Sequence, residues 1–473
     1  MQKNGLIAIV KRDCPTCVMV TPVLQEILQT NDLKIYSQDD PKFPDGVDGV
    51  ADDTTLDVSY NLDIEIVPTL VRFEDGQEID RTYGWDRAAW EKLTETTGLG
   101  VDLPDFKPGC GALNQEQGHL AELRIRHRDT PMISRLIPLG ENQDAIEACF
   151  ERGWSDGLPV VPPTQSRVMA MLEGTTRSAD ENLGLMPSNL DVCTVEKVAI
   201  NAVMAGCRPE YFPVVLTAVR ALGHQQVNLR GVNATTHPVA PLSIVHGEVV
   251  DALGFNAGLG AFGPGTRANA TVGRAVRLVL LHVAGARPGP GDASTQGQPS
   301  KYTYCVAENS AESPWESYHR SVGVEAPSAV TVHCGENPHN FHDMESDRIE
   351  RILDKAASVM ATFGVNNACI SGGEWFIGLC PEHAAVADGD GWTRADVATY
   401  LFEHARRSAA EFRAQFDRLA WADWMRGADD EALLPMTQEP GNIRVFVTGG
   451  PGKHSCVIPS WGMTRSVTLP VAG

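Results

Sequence analysis

The sequence predicts an α/β protein with a small N-terminal domain and a large domain built on parallel strands and Gly-rich loops. Three observations carry this. Residues 6–28 read as strand, tight turn and helix, with Cys14-Pro15-Thr16-Cys17 at the turn. From Ala329 to Val447, short apolar runs alternate with long helical stretches, the pattern of βαβ units with parallel strands. The 473 residues are 42% hydrophobic and 21% charged, an ordinary globular balance over a length that suggests two to four domains.

Taking the chain in order, Leu6 to Val10 is the first strand and Val18 to Leu28 an amphipathic helix. The C-x-x-C spacing puts Cys14 at the helix start and Cys17 one turn in. Unpaired N–H groups and the dipole there favour a thiolate on Cys14, and Lys11 and Arg12 add positive charge. Cys17 is close enough to close a disulfide, so the pair can swap two electrons with another thiol pair. The alternatives are a structural disulfide or half a zinc site. A zinc site needs two more ligands at suitable spacing, and the chain has no second C-x-x-C. Leu33–Tyr36 reads as a strand and Thr55–Leu62 as a short helix. The run Ile66 to Phe73, the turn Glu74-Asp75-Gly76 and Gln77–Tyr83 read as a hairpin, and Trp85–Thr97 as a closing helix.

Residues 1–100 thereby resemble the thioredoxin superfamily. The resemblance implies that Cys14 is the attacking cysteine, Cys17 the resolving cysteine and Pro68 a cis-proline facing the pair. It also implies an external thiol or disulfide as redox partner. The chain opens directly on the C-x-x-C strand, as glutaredoxins do, and that strand lacks the buried acid of thioredoxins.

Residues 101–120 read as a linker: Val101 to Gly111 holds two prolines and two glycines without periodicity. Cys110, flanked by glycines, is expected to be accessible, as a relay thiol between domains or as an incidental linker cysteine.

The large domain is expected over 121–473, with a subdomain break near 325. Trp154 to Thr164 is proline-stiffened, with a turn at Asp156-Gly157. Thr194 caps a helix that Gly206 stops, and Pro209-Glu210 starts the next. Cys207 and Arg208 sit in the joint, so Cys207 is either a thiolate at a helix start or a packed core cysteine. Pro241–Val245 is a strand. The passage from Asn256 to Asn269 is glycine-rich and opens a helix to His282. Its Gly263, Gly265, Arg267 and Asn269, with Arg274, are candidates to hold a small anionic substrate; the alternative is a turn that lets helices pack closely. It matches neither a dinucleotide fingerprint nor a P-loop.

The strands Ala329–Cys334, Glu374–Leu379 and Ile443–Val447 each end at reactive groups: Cys334, Glu336, His339 and His342; Cys380, Glu382 and His383; Lys453, His454 and Cys456. Parallel strands would bring all three sets to one sheet edge, where such folds bind ligands. Cys456, with His454 as base and Lys453 as cation, is the favoured partner thiol, and Cys207 the second. Cys334, His339, His342, Cys380 and His383 are candidate ligands for zinc, copper or iron, although the His339-x-x-His342 spacing matches no metal signature. Asp156–Thr164, Ala202–Pro213 and Gly449–Ser455 faintly resemble a bacterial group found near, or fused to, proteins of the UGSC selenoprotein type and thioredoxin-like domains. The UGSC tetrapeptide itself is absent.

A net charge of −22 argues against nucleic acid and anionic membranes as partners. No apolar run nears the ~18 residues of a membrane span. Eleven cysteines, single apart from the C-x-x-C, in a sequence that runs from Met1 straight into a strand suggest a reducing cytoplasm. The expected function is a thiol-dependent redox enzyme acting on a small molecule by reduction or carbon–heteroatom cleavage. The other classes are a metal-dependent lyase or hydrolase and a metal or thiol carrier; a homo-oligomer is compatible with each.

Overall fold

Leu6 to Val10 is buried along its whole length, and this strand, β1 (Gly5–Val10), lies at the centre of a five-stranded sheet. The computed structural model describes residues 4–127, 130, 132–362, 364–369, 373–415 and 425–472. The chain is mixed α/β and divides into two units, Met1–Thr130 and Pro131–Gly473.

In the first unit, β1 leads into α1 (Pro15–Met19) and α2 (Thr21–Thr30). The single helix expected over 18–28 is broken at Val20, because Pro22 has no N–H with which to continue the ladder of α1. Next come β2 (Leu33–Ser37), β3 (Ala51–Asp52), α3 (Asp57–Asn61), β4 (Ile66–Val67), β5 (Thr69–Glu74) and β6 (Gln77–Tyr83). The sheet order is β3-β2-β1-β5-β6, with β1 parallel to β2 and antiparallel to β5. Then follow β7 (Trp85–Asp86), α4 (Arg87–Thr94), β8 (Phe106–Lys107), β9 (Cys110–Gly111) and α5 (Gln117–Arg126).

The expected linker over 101–120 is therefore corrected. β8 pairs with β7, β9 pairs antiparallel with β4, and the unit runs on to Thr130. Glycine makes this possible. A Cβ on Gly109 would lie 2.4 Å from Ile66 Cγ2 and 2.6 Å from the Val67 carbonyl oxygen. A bare backbone can lie flat where a side chain would hold it off.

The second unit opens with α6 (Ala145–Glu151), α7 (Gln165–Leu172), the hairpin β10 (Asn182–Met186) and β11 (Asp191–Thr194), α8 (Val195–Ala205), α9 (Phe212–Leu222) and α10 (Leu229–Ala234). Thr194 accepts from the Lys197 amide and Gly206 ends α8 in the left-handed region, as the sequence predicts. It continues through β12 (Ala240–Gly247), α11 (Val249–Ala252), α12 (Arg267–His282), β13 (Cys305–Ala307), α13 (Tyr318–Ser321), β14 (Ser328–Gly335), β15 (His339–His342), α14 (Ile349–Met360) and α15 (Asn366–Cys369). It closes with β16 (Trp375–Leu379), α16 (Pro381–Gly389), α17 (Arg394–His404), β17 (Arg406–Ser408), α18 (Ala409–Gln415), β18 (Leu433–Pro435), β19 (Ile443–Val447), β20 (His454–Pro459) and β21 (Val467–Pro470).

Two four-stranded mixed sheets organise this unit, β13-β12-β14-β21 and β15-β20-β16-β19. No break falls near 325, because β14 pairs with β12 from Ala240↔Gly335 to Gly247↔Ser328. The all-parallel reading holds for β16 and β19, which pair in parallel from Trp375↔Ile443 to Leu379↔Val447. It fails for β14, which is antiparallel to β12 and β21 and lies in the other sheet. It fails too for the stretch after β19. The chain turns back at residues 449–453 and returns as β20, antiparallel to β16.

Candidate functional site

In the first unit β1 delivers Cys14 to the start of α1, where it is the N-cap, and Cys17 falls within the helix. The backbone N–H of Cys17 donates to Cys14 Sγ at 3.4 Å, and Cys14 Sγ lies 3.5 Å from the Val67 carbonyl oxygen. The Val67–Pro68 bond is cis. A hydrogen bond from the Cys17 thiol, helped by one from Cys110 and by the amides of Cys17 and Thr16, outweighs burial and lowers the Cys14 thiol to about 5. Cys17 goes the other way, driven up by burial first and then by its bond to Cys14. Two thiols one helical turn apart are thus pushed in opposite directions.

Neither thiol of the pair is open to solvent, Cys14 being 1% exposed and Cys17 0%, and two expectations about its neighbours Cys110 and Arg12 are corrected. The covering segment is 106–112. The Thr16 hydroxyl donates to the Pro108 carbonyl at 2.7 Å, Cys110 is paired opposite Val67, and the Ala112 amide donates to Glu65 at 2.9 Å. Cys110 is half-buried rather than freely accessible. Arg12 does not serve the thiolate: its guanidinium pairs with Asp40 at 2.7 Å and Asp45 at 2.6 Å.

In the second unit the expected shared edge is not formed. Cys334 is buried in the β13-β12-β14-β21 sheet, whereas Cys380 and Cys456 belong to the other. Cys456 lies in the middle of β20 opposite Gly378. Burial pushes its thiol up to about 12, and it does the same to Cys334 and Cys207. Neither Cys456 nor Cys207 is the thiolate its neighbours suggested. Cys207 Sγ donates to the Thr271 carbonyl at 3.3 Å. Lys453 Nζ donates to the Met344 carbonyl at 2.9 Å, and His454 Nδ1 meets Asn340 Oδ1 at 3.0 Å.

The residues after β16 and β19 do meet. His383 Nδ1 lies 2.7 Å from Ser455 Oγ, which also accepts from the Cys380 amide at 2.9 Å. Glu382 accepts from the amides of Gly452 and Lys453, each at 2.6 Å, and these bonds hold its carboxyl below the usual value. The glycine passage also docks here, with the Gly449 amide donating to the Ala257 carbonyl at 2.8 Å. Its polar groups are engaged in its own shape. Asn269 bonds the amide of Asn256 at 2.8 Å and its carbonyl at 2.9 Å, and Arg267 donates to the Gly206 carbonyl. The Gly263 amide closes on the Gly260 carbonyl at 2.6 Å, and Gly265 has φ +116°. Arg274 is bidentate to Asp156, at 2.9 and 2.8 Å. The arrangement fits the close-packing turn better than an anion cradle.

Cys334, His339, His342, Cys380 and His383 do not converge as a metal set. His342 faces His454 with ring centroids 5.4 Å apart, and Glu336 pairs with His237 at 2.8 Å. Among the described residues the convergent trio is His246, Glu308 and His319, which sequence spacing could not reveal because three separate elements supply it. Its donor atoms are already engaged. His246 Nδ1 lies 2.7 Å from Glu308 and its Nε2 2.8 Å from Thr331 Oγ1. His319 lies 2.8 Å from Ser317 Oγ and 2.9 Å from the Ala326 carbonyl. Arg394 closes the network on Glu308 at 3.2 Å. A metal would have to break these bonds, so the trio suits a buried structural network. A cavity of about 10 Å³ beside Arg277 and Lys301 has room for one water. Among the described residues no helix is long and apolar enough to cross a membrane.

No protein-family model matches the chain, and no curated protein matches it.

Proposed function

We propose that the protein is a thiol–disulfide redox enzyme whose N-terminal unit is a thioredoxin-like module working through Cys14 and Cys17. The observation that carries this is geometric: Cys14 caps α1 with the Cys17 amide donating to its sulfur at 3.4 Å, in surroundings where hydrogen bonds lower the Cys14 thiol and burial raises that of Cys17. A nucleophile must be ionised to attack a disulfide, and its resolving partner must stay protonated until the mixed disulfide forms. Oxidation converts two thiols into one disulfide and reduces one external disulfide to two thiols. Cys207 and Cys456 are not assigned as partner thiols of this pair, since burial keeps both protonated.

The test is an ultraviolet titration of the reduced full chain, which reads thiolate absorbance directly. One thiol should ionise with a midpoint near about 5. Cys14→Ser should abolish that step and also block oxidation by glutathione disulfide. A first midpoint at the ordinary thiol value in the folded protein would reject the reading.

A further inference from the structure

The redox pair is buried beneath a strap that carries a third cysteine. Among the three sulfurs of this site, Cys14 and Cys17 are 1% and 0% exposed, and Cys110 alone reaches toward solvent. The strap is seated by bonds on both sides of Cys110. Thr16, within the C-x-x-C itself, donates to the Pro108 carbonyl at 2.7 Å. The Ala112 amide donates to Glu65, and the Leu113 amide to buried Gln38 at 3.0 Å. The antiparallel pairing of Ile66-Val67 with Cys110-Gly111 sets Cys110 opposite Val67, whose carbonyl Cys14 Sγ touches. Cys110 packs against the same buried cluster as Cys14 and Cys17. An external disulfide therefore meets Cys110 before it can meet the pair.

We infer that Cys110 is a relay cysteine, the entry point through which disulfide exchange reaches Cys14 and Cys17. This rests on the redox reading of that pair. The electron acceptor would be a low-molecular-weight disulfide, RSSR. The Cys14 thiolate acts as base and takes the proton of Cys110, whose thiol burial holds above its ordinary value, so this transfer is the uphill step. The Cys110 sulfur attacks RSSR, forming a Cys110–SR bond and releasing RS⁻, which takes the proton from Cys14. The Cys14 thiolate then attacks the Cys110 sulfur, the S–SR bond breaks, and a second RS⁻ leaves with the Cys17 proton. Cys17 thiolate finally attacks Cys14, forming the Cys14–Cys17 disulfide and freeing Cys110 as a thiolate. In sum, one RSSR is reduced to two RSH and the protein loses two electrons.

The strap also occupies the backbone groups of Ile66 and Val67 with which an incoming extended peptide would pair. That favours small disulfides over protein disulfides as partners.

The experiment uses the full chain with Cys17→Ala and a slight excess of glutathione disulfide, followed by peptide mapping without reduction. The expected product is a Cys14–Cys110 crosslink without bound glutathione. A stable glutathione adduct on Cys14, with Cys110 free, would overturn the relay while leaving Cys14 as the nucleophile. A second measurement keeps the native pair. Cys110→Ser should slow oxidation of Cys14 and Cys17 by glutathione disulfide at least roughly tenfold, and an unchanged rate would overturn the relay. If the unaltered chain forms no Cys14–Cys17 disulfide at all, the redox reading fails and the relay with it.

Discussion

At the scale of single residues, chemistry here follows from which groups are buried with a partner. Cys14, Cys207 and Cys456 all have hydrogen-bond partners at sulfur, but of the three only at Cys14 do those bonds outweigh burial, and only its thiol is lowered. Desolvation alone favours the neutral thiol; hydrogen bonds to the anion reverse that. Glu308 obeys the same rule. Burial would raise its carboxyl, yet bonds from His246, Ser317 and the Tyr318 amide hold it below the usual value. Its stabilising contribution is therefore present above the ordinary carboxylate value and is lost as pH falls through the lowered one. Removing the carboxylate strands His246 and Arg394 in the core. Glu308→Ala should destabilise the second unit by about 3–5 kcal/mol, read from its urea transition. A loss below about 1 kcal/mol would mean that the network is dispensable.

At the scale of elements, the strap over Cys14 and Cys17 depends on glycine. Gly109 lets backbone approach Ile66 and Val67 closer than any side chain allows, and Gly84 leaves room for Lys107 and Gly109 from the other side. Gly109→Ala must push the strap outward, a strain of about 1–3 kcal/mol by the usual scale of overpacking. Opening of the strap should become about 5- to 150-fold more frequent. Alkylation of Cys14 by iodoacetamide should accelerate accordingly, with the far-ultraviolet dichroism unchanged. An unaltered alkylation rate in the folded variant would show that the strap does not limit access.

At the scale of the whole molecule, the two units have separate cores. One is built from β1, β5, α2 and Trp85 and Trp90; in the other, β16, β19, α14 and α17 share one cluster. The segment 101–130 belongs to the first, since it supplies Ala112 and Cys110 to that core and Asn114 to a buried bond with the Ile64 carbonyl. A chain ending at Thr130 should unfold cooperatively and reproduce the low Cys14 midpoint. A chain ending at Gly100 should lose cooperativity, because it leaves Gln38 without its partners Leu113 and Asn114. Equal urea midpoints for the two would refute the boundary.

The sequence by itself determined what is local. Apolar runs placed β1, β14, β16 and β19 within a residue or two, and Thr194 and Gly206 fixed the ends of α8, because such signals act within a few residues. The C-x-x-C at a strand–helix turn placed Cys14 at its cap for the same reason. Tertiary structure decided everything that depends on pairing between distant segments. Whether β14 joined the sheet of β16, whether β20 turned back, and whether 106–112 was linker or strap were settled by register and close approach, which leave no periodic trace in the chain. The charge states of Cys207 and Cys456 were decided the same way. Neighbours in sequence promised cations and bases, but folding turned Lys453 toward the Met344 carbonyl and His454 toward Asn340, and left Cys207 buried and Cys456 half-buried.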